Sequence, residues 1–148
     1  KTVLFQPFKK YFGGNLKGVK IALWGLAFKP DTDDIREAPA LYMIEKLISE
    51  GAEIVAFDPE AMDNVKKLLG HRINFADTAY DAVEGADALL ICTEWSVFRT
   101  PDFDALSEKL NNKVIFDGRN LYELDKMKQM GFHYKSIGRE TVESKVEA

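Results

Sequence analysis

In the stretch from Val19 to Glu50 the sequence reads VKIALW, GLAFKPDTDDIREAP and ALYMIEKLISE in succession. The first segment, Val19–Trp24, is apolar and β-branched, which is typical of a strand buried on both faces. The third segment has the three- and four-residue apolar spacing of a helix that packs on a sheet, with Leu41, Ile44, Leu47 and Ile48. A strand, a long loop and a helix in this order are the first half of a βαβ unit.

The rest of the chain alternates short apolar runs with amphipathic segments, without a hairpin signal or an internal repeat. Further strands are predicted at Glu53–Phe57, Ile73–Phe75, Ala88–Cys92, Val114–Phe116 and Phe132–Ile137. Helices are predicted at Ala61–Leu69, Thr78–Glu84, Phe103–Leu110 and Leu124–Met130. The predicted fold class is therefore α/β, a three-layer, Rossmann-like, doubly wound parallel sheet of about six strands.

Length and composition limit the classes of function. A chain of 148 residues with 46% hydrophobic and 30% charged residues suits one ordinary globular domain. A net charge of −4 without a basic cluster argues against nucleic acid as a partner. No apolar run approaches the roughly 20 residues that cross a bilayer, and no signal peptide is present, so no membrane partner is expected. A single cysteine, Cys92, cannot form an intrachain disulfide, which fits a reducing cytoplasm.

Three segments are expected along the chain. Residues 1–18 are interpreted as a linker or the remnant of an upstream helical region, 19–139 as the binding domain, and 140–148 as a polar tail. Because the first residue is Lys1 rather than methionine, we expect the chain to be a fragment of a longer protein or a processed chain.

Four loops are expected to face one crevice, because the carboxyl ends of parallel strands meet at one edge of a sheet. They are Gly25–Pro39, Asp58–Pro59, Thr93–Trp95 and Asp117–Asn120. The first is longer than the usual connection of about 2–6 residues, which indicates a function.

This edge does not carry the glycine pattern of a dinucleotide site. The fingerprint G-x-G-x-x-G needs glycines where the backbone approaches a pyrophosphate, but the chain has one glycine, Gly25, followed by bulky residues. Asp58 ends the second strand, where a ribose-binding acid would stand, and an Asp-Pro turn explains it equally well. A dinucleotide cradled in the usual way is not expected in this domain.

Three cations on the same edge are candidate phosphate anchors: Lys29, Arg36 and Arg119. Lysine acts on phosphate as a point charge and arginine as a planar fork. The alternative is that Lys29 and Arg36 pair with acids of their own loop, which are Asp31, Asp33, Asp34 and Glu37.

The sequence offers neither a metal site nor a catalytic group. The three loop aspartates lack the glycine and the distal glutamate of a calcium loop, so they are expected to cap the next helix and hold the cations. Cys92 is interpreted as a small buried hydrophobe, and His71 and His133 lie near strand starts, at the opposite edge. No nucleophile has an evident base. Trp95 and Phe98 either wall the crevice or pack within it.

Four phrases together resemble the C-terminal domain of the UDP-glucose 6-dehydrogenase family. They are GLAFKPDTDDIREAPA (Gly25–Ala40), ICTEW (Ile91–Trp95), FDGRN (Phe116–Asn120) and GFHYKSIGR (Gly131–Arg139). The resemblance covers Leu16 to Arg139, nearly the whole chain. Sister enzymes that act on GDP-mannose or UDP-N-acetylmannosamine share the architecture, but these phrases are more similar to the UDP-glucose branch.

The resemblance implies oxidation of UDP-glucose to UDP-glucuronate with two NAD⁺ and a cysteine-bound intermediate. It implies an N-terminal domain that holds NAD, a central helical region that joins two subunits, and a C-terminal domain that closes over the substrate. Phe28, Lys29 and Arg119 match substrate contacts of the family, and Arg36 matches an arginine that reaches across the cleft to NAD.

The chain departs from the family in lacking the NAD domain, the central helix and the segment with the catalytic cysteine, which Cys92 does not match. We therefore expect no dehydrogenase activity from this chain alone and weak binding of UDP-glucose. The alternative is a stand-alone α/β binding or assembly module whose ligand site has decayed.

Overall fold

The computed structural model describes residues 2–143 of the chain. The strands are β1 (Lys20–Trp24), β2 (Glu53–Phe57), β3 (Asn74–Phe75), β4 (Ala88–Ile91), β5 (Val114–Asp117) and β6 (His133–Lys135). The helices are α1 (Phe5–Tyr11), α2 (Pro39–Ser49), α3 (Met62–Leu69), α4 (Ala79–Val83), α5 (Phe103–Lys109) and α6 (Leu124–Met130). Short 3₁₀ turns lie at Gly70–Arg72 and Ser96–Phe98.

The six strands form one parallel sheet in the order β3-β2-β1-β4-β5-β6, which confirms the predicted fold class. The chain moves outward from β1 to β2 and β3 and then returns to place β4 on the other side of β1. With right-handed crossovers, this reversal places the later helices on the opposite face of the sheet from α2. The point of reversal lies between β1 and β4.

The central strands end at the same level. Trp24, the last residue of β1, is in register with Phe57 on one side and Ile91 on the other. Leu90 is in register with Phe116 of β5. The loops that follow these strands therefore leave one edge together, as the sequence predicts for a parallel sheet.

Burial explains why β4 and β5 read as unbroken apolar runs. Every residue of both strands is buried, because helices cover both faces of the sheet. In β2, which lies between β1 and the edge strand β3, buried residues alternate with more exposed ones. The apolar runs of the sequence thus mark the centre of the sheet correctly.

Helix α1 shares the core of the sheet. Its Phe8 is fully buried, and the ring lies 4.9 Å from the ring of Phe116 in an edge-on contact. Leu4 and Leu16, which flank the helix, are also buried. The sequence shows no clear period here because the helix has only seven residues.

The expected polar tail, 140–148, is described as far as Glu143. Val142 pairs with Tyr134 through two backbone hydrogen bonds of 2.8 and 2.9 Å, in an antiparallel bridge beside β6. Residues 144–148 lie outside the described part of the chain. Among the helices that the structure describes, none has the length and apolar character to cross a membrane.

Candidate ligand-binding rim

The carboxyl ends of β1, β2, β4 and β5, with the loops that follow them, form a surface that we call the rim. Its loops are 25–38, 58–61, 92–95 and 117–120, the same set that the sequence predicts. Contacts between side chains and backbone join neighbouring loops of the rim, so the predicted convergence of the four loops is confirmed.

Asp58 fixes the base of the long loop after β1. Its carboxylate is fully buried and accepts hydrogen bonds from the backbone N–H groups of Leu26 (2.7 Å) and Ala27 (3.0 Å). It also accepts from Nε1 of Trp95 (3.1 Å) and from backbone N–H groups that follow it, those of Glu60 and Ala61 (both 2.8 Å). Hydrogen bonds to an ionised carboxylate are among the strong ones. Asp58 therefore joins three loops of the rim.

Because all these donors occupy its carboxylate, Asp58 has no oxygen directed at a ligand. The sequence left open whether it binds a ribose or terminates a turn. The structure confirms the turn, because one carboxylate oxygen accepts from the N–H groups of Glu60 and Ala61 just after Pro59. The other oxygen faces inward and supports Leu26 and Ala27, just before Phe28 and Lys29.

The loops after β1 and β4 approach each other closely at Gly25. A Cβ atom at this position would lie 2.5 Å from Cβ of Thr93, and the φ angle of Gly25 is +98°. The Thr93 hydroxyl donates to the carbonyl of Ala27 at 2.6 Å, which closes the contact. The one glycine of this loop thus serves close packing of two loops.

Phe28 and Lys29 follow this support at the surface of the rim. The Phe28 ring is partly exposed (36%), and the Lys29 amine lies 5.3 Å from the ring centroid. The Phe28 N–H donates to the carbonyl of Asp34, so the loop folds back on itself. In the described part of the chain the Lys29 amine forms no ion pair with a carboxylate, and its charge remains available for an anionic ligand.

Arg36 pairs with an acid of its own loop. Its Nε and Nη2 donate to the Asp34 carboxylate at 2.8–3.2 Å, while 88% of the Arg36 side chain stays exposed. These hydrogen bonds lower the pKa of Asp34 to about 2. The alternative of pairing within the loop therefore holds for Arg36.

The loop aspartates do not cap α2, so that prediction was wrong. The N-cap residue is Ala38, and no side chain caps the first turn, which starts with Pro39. The Asp34 carboxylate instead accepts from Arg36, two residues further along. Glu37, with a φ angle of +58°, then turns the backbone before α2 begins.

Arg119, in the loop after β5, pairs with Glu94, in the loop after β4. Nε donates to Oε2 and Nη2 to Oε1, each at 2.8 Å, and both side chains are partly buried. Burial is the largest single influence on the pKa of Glu94 and raises it, but the hydrogen bonds from Arg119, a hydrogen bond to the Glu94 backbone and the charges of Arg119 and Arg99 together hold that pKa below its usual value. The pair is a two-point fork between loops that are 25 residues apart.

A buried carboxylate also holds the backbone of the Arg119 loop. Asp117 accepts from the N–H groups of Arg119 (2.8 Å) and Leu121 (2.7 Å) and from the hydroxyl of Tyr134 (2.6 Å). Asn120 has a φ angle of +56°, and its side chain makes two hydrogen bonds to the backbone of Ile137. This loop is therefore fixed in one conformation.

Arg119 also borders a small apolar cavity of about 200 Å³. It is lined by Val3, Leu4, Pro39, Met43, Leu90, Ile91, Cys92, Gly118, Arg119 and Ile137. The cavity connects the Arg119 loop with the first turn of α2. No described contact links Arg119 directly to Lys29 or Arg36, so the three cations share the rim without touching one another.

The remaining candidates of the sequence lie in the packed interior. Phe98 is fully buried and stacks on Trp24 at 4.9 Å, and Trp95 is buried against Asp58. Phe98 therefore packs, whereas Trp95 packs against Asp58 and also borders an open hollow of the rim, which is lined further by Asp31, Thr32, Asp33 and Glu60. Burial raises the pKa of the Cys92 thiol to about 12, which opposes nucleophilic chemistry.

Residues 2–143 contain no cluster of three or more histidine, cysteine or acidic side chains suited to a metal ion.

Sequence reasoning missed Glu94 and Asp117 as parts of the site. Both follow directly after strands, which is a usable signal, since carboxyl ends of strands hold functional side chains in this fold. Their roles as acceptors for the Arg119 side chain and backbone depend on contacts that only the folded chain creates.

Comparison with known proteins gives one matching family. The family described as "UDP-glucose/GDP-mannose dehydrogenase family, UDP binding domain" matches residues 22–124. This range includes the rim loops from Gly25 to Asn120 and both ion pairs described above.

Curated relatives match most of this chain and are about three times as long. UDP-glucose 6-dehydrogenase of Pseudomonas aeruginosa is 44% identical over 144 residues, covering 94% of this chain and 32% of the relative. The enzyme of that name from Rhizobium meliloti is 44% identical over 127 residues, which are 86% of this chain and 29% of the relative. The chain thus spans about a third of the length of the curated relatives it matches.

Solved structures agree with the fold. A UDP-D-ManNAc dehydrogenase from Pyrococcus horikoshii superposes with a TM-score of 0.73 at 28% identity, over 92% of this chain and 29% of that one. A UDP-glucose dehydrogenase from Pyrobaculum islandicum gives a TM-score of 0.69 at 28% identity, over 78% of this chain and 25% of that one.

Proposed function

The chain belongs to the UDP-glucose/GDP-mannose dehydrogenase family through its UDP binding domain, and from this premise we propose that it is the C-terminal substrate-binding domain of an NAD-dependent UDP-glucose 6-dehydrogenase. The parent enzyme would convert UDP-glucose and two NAD⁺ to UDP-glucuronate. This domain would supply contacts to the UDP-sugar and close the cleft over it.

One observation carries the proposal. The rim presents Lys29, which forms no ion pair within residues 2–143, beside an exposed aromatic ring, Phe28. It also presents the Arg119 fork, and buried carboxylates hold both loops. A diphosphate needs cations as partners, and a base or sugar ring packs well on an aromatic side chain. Rigid loops lower the entropic cost of binding.

The residues of this domain do not fit a cradle for NAD. The loop after β1 uses its single glycine to pack against Thr93, and Asp58 has all its donors inside the protein. NAD would be bound mainly by an N-terminal domain of the same parent chain. We propose Arg36, whose side chain is largely exposed, as the residue of this domain that reaches that cofactor across the cleft.

No catalytic residue is assigned to this chain. Cys92 is buried, its thiol is strongly disfavoured as a thiolate, and no described histidine lies in hydrogen-bond contact with it. The chemistry at the sugar belongs to the parts of the parent enzyme outside this chain. We further propose that the parent is a cytoplasmic homodimer with neither nucleic acid nor membrane as a partner.

The second candidate is a sister enzyme for UDP-N-acetylmannosamine or GDP-mannose. Its support is the structural similarity to a UDP-D-ManNAc dehydrogenase. The higher identity to proteins named UDP-glucose 6-dehydrogenase favours the first candidate. A non-catalytic binding or assembly module is the third possibility, and the presence of Lys29 and Arg119 on a rigid rim argues against it.

The test is titration calorimetry of the chain with UDP and UDP-glucose, repeated on Lys29→Ala and Arg119→Ala. We expect saturable binding that each substitution weakens by about 1–3 kcal/mol, because each removes a charge-assisted contact. Binding of the wild-type chain that neither substitution changes would place the ligand elsewhere.

The matched control is Lys128→Ala, which removes the same charge at an exposed position in the last turn of α6. The next strand, β6, starts after this helix, so Lys128 lies at the opposite edge of the sheet from the rim. We expect Lys128→Ala to bind UDP and UDP-glucose with the affinity of the wild-type chain. An equal loss in this control would indicate a general effect of net charge.

A further inference from the structure

The Glu94–Arg119 pair uses one side of the guanidinium group. Arginine has five N–H donors in a fixed planar fork. Nε and one hydrogen of Nη2 go to Glu94. Among residues 2–143, no hydrogen-bond partner contacts Nη1 of Arg119. The outer edge of the fork, from Nη1 to Nη2, therefore keeps the geometry that binds two oxygens of an anion.

Both ends of the Arg119 side chain are held. Asp117 and Asn120 fix the backbone on either side of Cα, and Glu94 fixes the guanidinium plane. A free arginine side chain has several rotatable bonds, and ordering it on binding has an entropic cost. A fork held in advance avoids most of that cost.

A carboxylate beside a phosphate-binding arginine also opposes binding, because it repels an anionic ligand. Both side chains are partly exposed, so water and salt screen this repulsion. The geometric effect acts through direct hydrogen bonds and is not screened in this way. When Glu94 loses its charge, the repulsion alone predicts a higher affinity for the anion, and the loss of the held fork predicts a lower affinity.

We propose that Glu94 is a positioning residue for the substrate: by holding the inner edge of the Arg119 fork, it presents the outer edge to the diphosphate of the nucleotide sugar. This inference rests on the proposed function, since it takes Arg119 as a contact to a UDP-sugar. It assigns Glu94 no contact with the ligand. The affinity for UDP-glucose thus depends on Glu94 only through Arg119.

The experiment is an NMR titration of the full 148-residue chain with UDP-glucose, performed on wild type, Glu94→Gln, Arg119→Ala and the double variant. Glutamine keeps the shape of the side chain but removes its charge and one acceptor oxygen. We expect Glu94→Gln to raise Kd about 3- to 10-fold, the cost of ordering one long side chain on binding. In the Arg119→Ala background the same substitution should have no further effect.

The NMR signal of the Arg119 Nε–H group reports the positioning itself. It should be visible and well dispersed in the wild-type chain and should weaken or shift to the position of a free arginine in Glu94→Gln. If Glu94 served stability alone, the effect of Glu94→Gln on Kd would be the same in the wild-type chain and in the Arg119→Ala background.

Glu84→Gln is the matched control. Glu84 also pairs with a cation, Lys109 at 3.3 Å, but it lies after α4 and before β4, at the amino end of the sheet. The substitution changes the net charge equally and should keep Kd within about 2-fold of wild type.

Three results separate the possible failures. If Glu94→Gln binds as well as Glu84→Gln, or more tightly, the positioning role is wrong while the proposed function stands. If Glu94→Gln weakens binding equally in the Arg119→Ala background, Glu94 acts independently of Arg119, and the inference is again wrong. If the wild-type chain gives no shifts with UDP-glucose, the proposed binding function of this chain fails, and the inference fails with it.

Discussion

Buried carboxylates at the ends of strands organise this protein at the scale of single residues. Asp58 and Asp117 are both fully buried, and no described cation forms an ion pair with either. The donors to Asp58 come from loops of the rim, and those to Asp117 come from the backbone that follows it and from the hydroxyl of Tyr134 in β6. The acids thereby replace the hydrogen bonds that loop backbone would otherwise make with water. Rigid loops are the consequence.

At the same scale, Gly25→Ala should destabilise the protein by about 2–5 kcal/mol, because it combines a left-handed backbone with a clash. The new Cβ would lie 2.5 Å from the side chain and 2.6 Å from the backbone nitrogen of Thr93, so two loops must separate. Urea unfolding followed by circular dichroism measures the change.

Gly13→Ala is the control for Gly25→Ala. Gly13 also has a positive φ, +73°, but no atom lies within 4 Å of the added Cβ. This variant should lose about 1 kcal/mol from backbone strain alone. Equal losses for the two variants would show that the contact with Thr93 is unimportant.

At the scale of elements, the β5–β6 edge is held by buried hydroxyl groups. Tyr134 of β6 donates to Asp117 at the end of β5, and Tyr122 donates to the carbonyl of Phe98 at 2.6 Å. Arg139 donates to the carbonyl of Tyr122 and to the Tyr134 hydroxyl. The strand β6 has only three residues, so these side-chain bonds supply much of its attachment.

This network predicts a loss of stability at alkaline pH. Burial first, and then the charge of Asp117, raises the pKa of both Tyr122 and Tyr134 above the ordinary value of 10.0. Above that pH the unfolded chain releases phenolic protons that the folded chain retains, so the free energy of unfolding falls as pH rises. The expected slope is about 1.4 kcal/mol per pH unit for each tyrosine.

Urea unfolding at several values between about pH 9 and pH 11 measures this slope. Tyr134→Phe should be less stable at neutral pH and should show a smaller alkaline slope, because Tyr122 and Tyr11, whose pKa burial also raises, still titrate. A free energy of unfolding that stays constant across this range would contradict the assignment.

At the scale of the whole molecule, one core joins α1, the sheet and the helices on both of its faces. The single cysteine, Cys92, lies within this core, as expected for a small buried hydrophobe. Burial raises the pKa of its thiol to about 12, while the nearby charge of Arg119 acts to lower this pKa and that of Asp117 to raise it. The thiol therefore serves packing.

The whole fold therefore controls the reactivity of Cys92. With a bulky thiol reagent such as dithionitrobenzoate, the native chain should react at the rate of its own opening, because the thiolate is scarce and enclosed. In about 6 M guanidinium chloride the reaction should be complete within minutes. Rapid stoichiometric labelling of the native chain would place the thiol at an accessible surface and reopen its role in chemistry.

The sequence by itself determined the class of fold and the convergence of the four rim loops at one edge. Strand positions follow from apolar runs whose length matches buried parallel strands, and helix positions from a 3.6-residue period. Both signals are local, so they survive without knowledge of neighbours. Parallel pairing then puts the loops with Lys29, Arg36 and Arg119 on one edge for geometric reasons alone.

Only the tertiary structure decided what the polar side chains of that edge do. Asp58 could bind a ribose or end a turn by sequence, and it does hold its own turn, but its other donors include Leu26 and Trp95, 32 and 37 residues away. Lys29 and Arg36 are equivalent loop cations in the sequence, and the folded loop pairs one of them and leaves the other free of ion pairs. Hydrogen bonds depend on distances of a few tenths of an ångström between groups far apart in the chain, which no local pattern encodes.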